Sequence, residues 1–269
     1  MMNQPIGVFD SGVGGLTVVK ELFQQLPNES IVYLGDTARV PYGTKSKSTV
    51  IKFTLENILF LLKQNVKLII IACNTSSSLA LEEVRKYFRI PIIGVICPTA
   101  KEAVYASKNK RIGVIGTPAT IKSRAYEIEI KRFDPDIKVI SKATPLFVPL
   151  VEEGLINKPI AEEIVKMYLK DFKNENIDTL VLGCTHYPLL KPIIRKVMGS
   201  SINIVDSARQ VVYEVKEILK AEGLSNSSKT RTFPKHKFFV TDAVENFLKV
   251  AKHFLKNSLR DIRKIDYGF

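Results

Sequence analysis

Short, almost unbroken apolar runs alternate with longer stretches of helical periodicity, and no other feature of the sequence restricts its fold as strongly. Ile6–Phe9, Ile31–Leu34, Leu68–Ala72, Ile92–Ile96, Arg111–Ile115, Lys138–Ser141, Thr179–Leu182 and Ile202–Val205 read as strands. Most are β-branched and apolar at successive positions, as strands covered on both faces of a parallel sheet must be. The segments between them carry the helical period instead. In Ala208–Ala221, Val211, Val212, Val215, Ile218 and Leu219 fall on one face. This alternation predicts an α/β fold with mainly parallel sheets joined by crossovers.

The alternation also repeats. Ile6–Gly12 resembles Ile112–Pro118 at an offset of 106 residues, and Val40-Pro41 recurs as Val148-Pro149 at an offset of 108. Ile71-Ala72-Cys73 pairs with Leu182-Gly183-Cys184 at 111, and Val95-Ile96-Cys97 pairs loosely with Ile204-Val205-Asp206 at 109. Four matches in one order at a nearly constant offset predict two pseudo-symmetric α/β lobes with a cleft between them. Residues 98–207 form the second lobe; residues 1–97 and 208–269 form the first. The return segment begins with a polar loop, Ser225–Lys229, then a short strand at Lys237–Thr241. Asp242 with Glu245 three residues later reads as a capping box, followed by Val244, Phe247, Leu248, Ala251, Phe254 and Leu255 at helical spacing.

Composition narrows the class. A chain of 269 residues, 45% apolar and 25% charged, has ample material for a core. Its start, Met-Met-Asn-Gln-Pro, does not read as a secretory leader, and runs such as Leu68–Cys73 are far short of a membrane span. Cys73, Cys97 and Cys184 are odd in number and widely spaced, which favours reduced thiols and a cytoplasmic location over a disulfide framework.

Ligands of parallel α/β sheets bind beyond the carboxyl ends of strands, so the polar residues that follow each strand are the candidates. Asp10-Ser11-Gly12-Val13-Gly14-Gly15 precedes a helix beginning at Leu16. Its glycines leave N–H groups free for an anion, yet the spacing is neither a dinucleotide fingerprint nor a phosphate-binding P-loop. Asp36–Gly43 reads first of all as a turn. Cys73-Asn74-Thr75 and Cys184-Thr185-His186 are the informative pair, since each follows an equivalent strand of the repeat and enters a helix. The helix dipole there favours the thiolate. Cys97, between Ile96 and Pro98, lacks polar neighbours and reads as structural.

Two thiols facing each other across a cleft suit proton transfer at a carbon held between them. One removes a proton as thiolate and the other returns one from the opposite face, inverting the centre. A carbon acid beside a carboxylate is far weaker than a thiol, so donors must surround the developing charge. Ser11, Asn74, Thr75 and Thr185 supply them, while Asp10, Glu152 and His186 tune the thiols. Zinc fits poorly, because Cys184 and His186 give at most two close ligands and no Cys-x-x-Cys is present.

Five ordered motifs resemble those of the bacterial glutamate racemase family: Phe9–Val18, Gly35–Gly43, Ala72–Ser76, Phe147–Glu152 and Leu182–Pro188. The resemblance runs from the first strand to about residue 210. It implies a cofactor-independent, metal-free racemase that supplies D-glutamate for peptidoglycan, with Cys73 and Cys184 as the acid–base pair. It implies supporting acid–base roles for Asp10, Glu152 and His186, and substrate contacts from Asp10, Ser11, Tyr42, Gly43, Asn74, Thr75, Thr185 and His186. A homodimer with glutamate as its small-molecule substrate is expected. Activation by a cell-wall precursor, tied in some members to an N-terminal extension, is not.

A racemase acting on aspartate or another acidic amino acid shares the same chemistry and is the nearest rival. Nucleic-acid binding is the reading that the charge raises, with 40 Lys and Arg against 27 Asp and Glu. Those cations are spread over most helices, dense only at Lys229–Lys237 and Lys249–Lys264, so nucleic acid is not expected as the main partner.

Overall fold

The computed structural model describes residues 2–226, 234–255, 259 and 261–266. Among the described residues, ten strands form two wholly parallel sheets. β1 (Ile6–Asp10), β2 (Ile31–Gly35), β3 (Leu68–Ile71) and β4 (Ile92–Gly94) are followed by β5 (Arg111–Gly116), β6 (Lys138–Ala143), β7 (Thr179–Gly183) and β8 (Asn203–Asp206). β9 (Lys237–Val240) and β10 (Ile262–Lys264) come last. The first sheet runs β10-β9-β2-β1-β3-β4 and the second β6-β5-β7-β8.

The duplicated order is explicit. β2-β1-β3-β4 in one sheet matches β6-β5-β7-β8 in the other, so the eight strands of the repeat occupy equivalent places. β1, β2, β3 and β7 are buried at every position, which is why they read as continuous apolar runs rather than alternating ones. The return segment extends the first sheet, with β9 beside β2 and β10 outside it. Helices Ile96–Ala106 and Ser207–Ala221 leave the last strand of each half and pack on each other. Val211, Val212, Val215 and Leu219 are the buried stripe of the second.

Several local expectations need correction. β4 ends at Gly94, and Ile96 begins a helix that admits Pro98 in its first turn, where a missing N–H costs nothing. Cys97 therefore lies inside that helix while Asp206 closes β8, and the loose match between them is not a structural equivalence. Asp242 and Glu245 form no capping box: Ala243, at φ 49°, precedes helix Val244–Phe254 without any side-chain cap. Asp242 is taken by tertiary partners instead, its carboxylate by Lys264 of β10 at 2.8 Å and its N–H by Thr37 at 2.8 Å. β10 itself, three residues with two exposed, was not anticipated. Of the polar loop Ser225–Lys229, residues 227–229 lie outside the described residues, as does most of the basic stretch Lys229–Lys237.

Candidate active site

The segments that leave the carboxyl ends of β1, β3, β5 and β7 converge on one cavity, which is lined by residues following strands of both sheets. Ser11, Tyr42, Gly43, Cys73, Asn74, Thr75, Glu152, Cys184, Thr185 and His186 all line it. Asp10, the remaining sequence candidate, ends β1 fully buried, and it accepts from the Gly12 N–H at 3.0 Å and from the Thr185 hydroxyl at 3.3 Å. The latter bond crosses between the two halves of the repeat.

Cys73 immediately precedes helix Asn74–Leu79, and its S–H donates to the Ser11 hydroxyl at 3.6 Å. The dipole of that helix does not prevail. Burial and the charge of Asp10 push the thiol up to about 11, against hydrogen bonds with Ser76 and Ser11 that pull it down. Cys73 is therefore a thiol at neutral pH, although the helix dipole taken alone favours the thiolate. Six residues of helix supply a weak dipole, whereas desolvation acts in full on a buried sulfur.

Cys184 follows β7 and leads into the 3-10 turn Tyr187–Leu190 rather than an α-helix. Its neighbour is His186, whose Nδ1 lies 3.8 Å from Sγ while Nε2 meets the Glu152 carboxylate at 3.0 Å. Burial opposes the charge on the imidazole, but its hydrogen bonds and electrostatic attraction to Cys184 and Glu152 outweigh it and hold His186 up at about 10. The ring is consequently a cation at neutral pH. Asp10 is shifted upward by burial, in part offset by the charge of His186 and by the N–H groups of Gly12 and Gly15. The two thiols thus stand in unlike surroundings, Cys73 near a buried acid and Cys184 beside a buried cation.

Close packing of the turns fixes this arrangement. A Cβ on Gly14 would stand 2.6 Å from His186 Nδ1 and closer still to the Thr185 hydroxyl, so only glycine allows the first turn to lie against Thr185-His186. Gly43 has the same relation to Thr117, whose Cβ would be 2.6 Å away. The Tyr42 hydroxyl donates to Asp36 and accepts from the Asn57 amide at 3.2 Å, and neither of these partners lines the cavity.

Sequence reasoning missed Val40, Pro41, Val148 and Thr117, which also line the cavity. Thr117 was within reach, because the repeat offset of 106 places it opposite Ser11. Its hydroxyl lies 3.0 Å from that of Thr75. Cys97 is elsewhere, half-buried beside a surface depression along helices Ile96–Ala106 and Ser207–Ala221 that contains none of the candidates.

Two repeated parallel units, each contributing one thiol to a shared cavity, define the class: a two-lobed α/β protein with paired cysteines between its lobes. Residues 6–215 match the family described as Asp/Glu/Hydantoin racemase. The chain belongs to that family. A glutamate racemase from Geobacter metallireducens is 45% identical over 260 residues, covering 97% of this chain and 96% of its own. One from Enterococcus faecalis is 47% identical over 256 residues, covering 95% and 93%. Among solved structures, glutamate racemase from Francisella tularensis in complex with D-glutamate superposes at a TM-score of 0.93 with 41% identity, covering 100% of this chain and 99% of that one. Among the described residues, no helix is long and apolar enough to cross a membrane.

Proposed function

We propose that this protein interconverts L- and D-glutamate by two-base proton transfer at Cα, with Cys73 and Cys184 on opposite faces of the substrate. The observation that carries the reading is that these two thiols follow equivalent strands, β3 and β7, and line one cavity. In one direction a thiolate takes the Cα proton and becomes a thiol, while the opposing thiol gives its proton to the other face and becomes a thiolate. The pair ends each turnover with its protonation exchanged, so the opposite enantiomer is the substrate for the reverse step.

Each sulfur has its own support. His186, held as a cation by Glu152, stands beside Cys184 and meets negative charge there; Asp10 serves the Cys73 side. Charge that develops on the substrate carboxylate during abstraction needs preorganised donors. Ser11, Asn74, Thr75 and Thr185 hydroxyls or amides, with N–H groups of the Tyr42–Gly43 turn, form that set.

Glutamate is chosen over aspartate because the relatives reported above are glutamate racemases. D-Glutamate for peptidoglycan is the product that this activity supplies. The lobes proposed are residues 1–97 with 208–269 and residues 98–207. Three unbridged cysteines fit a reducing cytoplasm, and the assembly is a homodimer of 30.2 kDa chains, which sedimentation velocity reads directly. Chiral chromatography of L-glutamate and L-aspartate after incubation with the purified protein, without pyridoxal phosphate, tests the activity. Racemised glutamate with little racemised aspartate is the expected result; aspartate preference or no turnover of either would overturn the reading.

A further inference from the structure

We propose that Tyr126 is a positioning residue that fixes which end of the Asn74 side chain faces the cleft. The proposal rests on the racemase reading above. Tyr126 belongs to helix Ala125–Phe133, beyond β5 in the second half of the repeat, whereas Asn74 begins the helix after Cys73 in the first. Both are about 2% exposed. The Tyr126 phenol reaches across and donates to Asn74 Oδ1 at 2.6 Å.

An asparagine amide has an acceptor end and a donor end, and a partner on one end decides what the other offers. With Oδ1 occupied by the phenol, Nδ2 is the end left for the cavity. Among the described residues its partner is the Ser207 hydroxyl, 3.5 Å away, at the limit of a hydrogen bond. A donor is what a carboxylate requires, and a flipped amide would present an oxygen to it instead. Burial, opposed by a hydrogen bond with Thr99, pushes the phenol above its ordinary range, so it remains a donor throughout the neutral range.

The same ring has a second contact with the site. A Cβ on Gly183 would stand 3.0 Å from Tyr126 Cε2, so the ring lies against the strand residue that precedes Cys184. One side chain therefore touches the residue after Cys73 and the residue before Cys184. Phenylalanine would fill the core equally well; the hydroxyl is the part that packing does not require. Its task is to hold Asn74 and, through it, the substrate carboxylate.

Tyr126→Phe removes that hydroxyl alone. Loss of one buried hydrogen bond predicts a KM for glutamate raised about tenfold, with kcat changed much less, and a matching loss of D-glutamate affinity by calorimetry. Because the effect passes through Asn74, the double variant Asn74→Ala/Tyr126→Phe is expected to be no worse than Asn74→Ala. An unchanged KM in Tyr126→Phe, or penalties that multiply in the double variant, overturns the role. Asn74→Asp tests it without touching Tyr126, since aspartate keeps the acceptor and loses the donor. It is expected to be as defective as Asn74→Ala, and wild-type KM in Asn74→Asp contradicts the proposal. Wild-type turnover of glutamate, measured alongside, tests the racemase reading separately.

Discussion

Nδ1 of His186 lies 3.8 Å from Sγ of Cys184, and the far side of the same ring is bound to Glu152 at 3.0 Å. The ring thus joins a partly exposed carboxylate to a buried sulfur, and its hydrogen bonds to both push its pKa up to about 10 against burial. Stability should register this. An unfolded histidine holds a proton only below its ordinary value of 6.5, whereas folded His186 keeps one to about 10. The stabilisation it contributes is therefore complete below 6.5 and is lost as pH rises from there through about 10. Urea unfolding at several pH values should show the advantage of wild type over His186→Gln shrinking across that window. An advantage that stays constant or grows contradicts a retained proton.

Glu152→Gln removes the carboxylate that supports the cation. The His186 resonance should then titrate at lower pH than in wild type, by NMR of labelled imidazole, and kcat/KM should fall by about tenfold or more. For a racemase the equilibrium constant is one, so kcat/KM must fall equally in both directions. Only the separate kcat and KM values are free to differ between enantiomers.

Burial keeps Cys73 protonated, with its thiol held up at about 11. Cys73→Ser and Cys184→Ser should each lower racemisation by roughly a thousandfold, within the usual range for a lost acid–base group, because a hydroxyl is a far weaker acid than a thiol. Cys97→Ser, half-buried and remote from the cavity, should retain wild-type kcat and KM. A large loss in Cys97→Ser would place the chemistry elsewhere.

Outside the site, Lys67 carries a stability prediction. Its buried ammonium donates to Glu29 at 2.6 Å and to the carbonyls of Met2 and Leu224, both at 2.8 Å, tying the first strand's approach and the exit of helix Ser207–Ala221 to the start of β3. Lys67→Met leaves the Glu29 carboxylate buried without its counter-charge, and should cost about 3–5 kcal/mol in denaturant unfolding. Lys67→Met/Glu29→Leu should recover much of that loss. A cost below about 1 kcal/mol for the single variant would contradict a tightly held pair.

Much of this fold was legible because parallel strands buried on both faces write their burial into consecutive residues. Leu68–Ile71 has no other reading at that length, and its repeat at Thr179–Leu182 exposes the duplication. Most site residues were legible for the related reason that polar side chains directly after such strands have few structural uses. What failed was decided by contacts remote in sequence. The helix dipole at Cys73 was overruled by desolvation and by Asp10, and the capping role of Asp242 was lost to Lys264 and Thr37. Thr117 was obscured because Thr-Pro also starts a helix, a task it performs by accepting from the Thr120 N–H. Tyr126 gave no signal, since it shares a short amphipathic helix with exposed Ile128 and only the folded chain brings it to Asn74.

The central claim is that two groups on opposite faces handle the proton, and isotope distribution at early conversion tests it most directly. Starting from L-glutamate in deuterated buffer, D-glutamate formed in the first few per cent of reaction should carry deuterium at Cα, while recovered L-glutamate stays unlabelled. Deuterium appearing equally in recovered L-glutamate and in product would mean that one base serves both faces, and would contradict the assignment of Cys73 and Cys184.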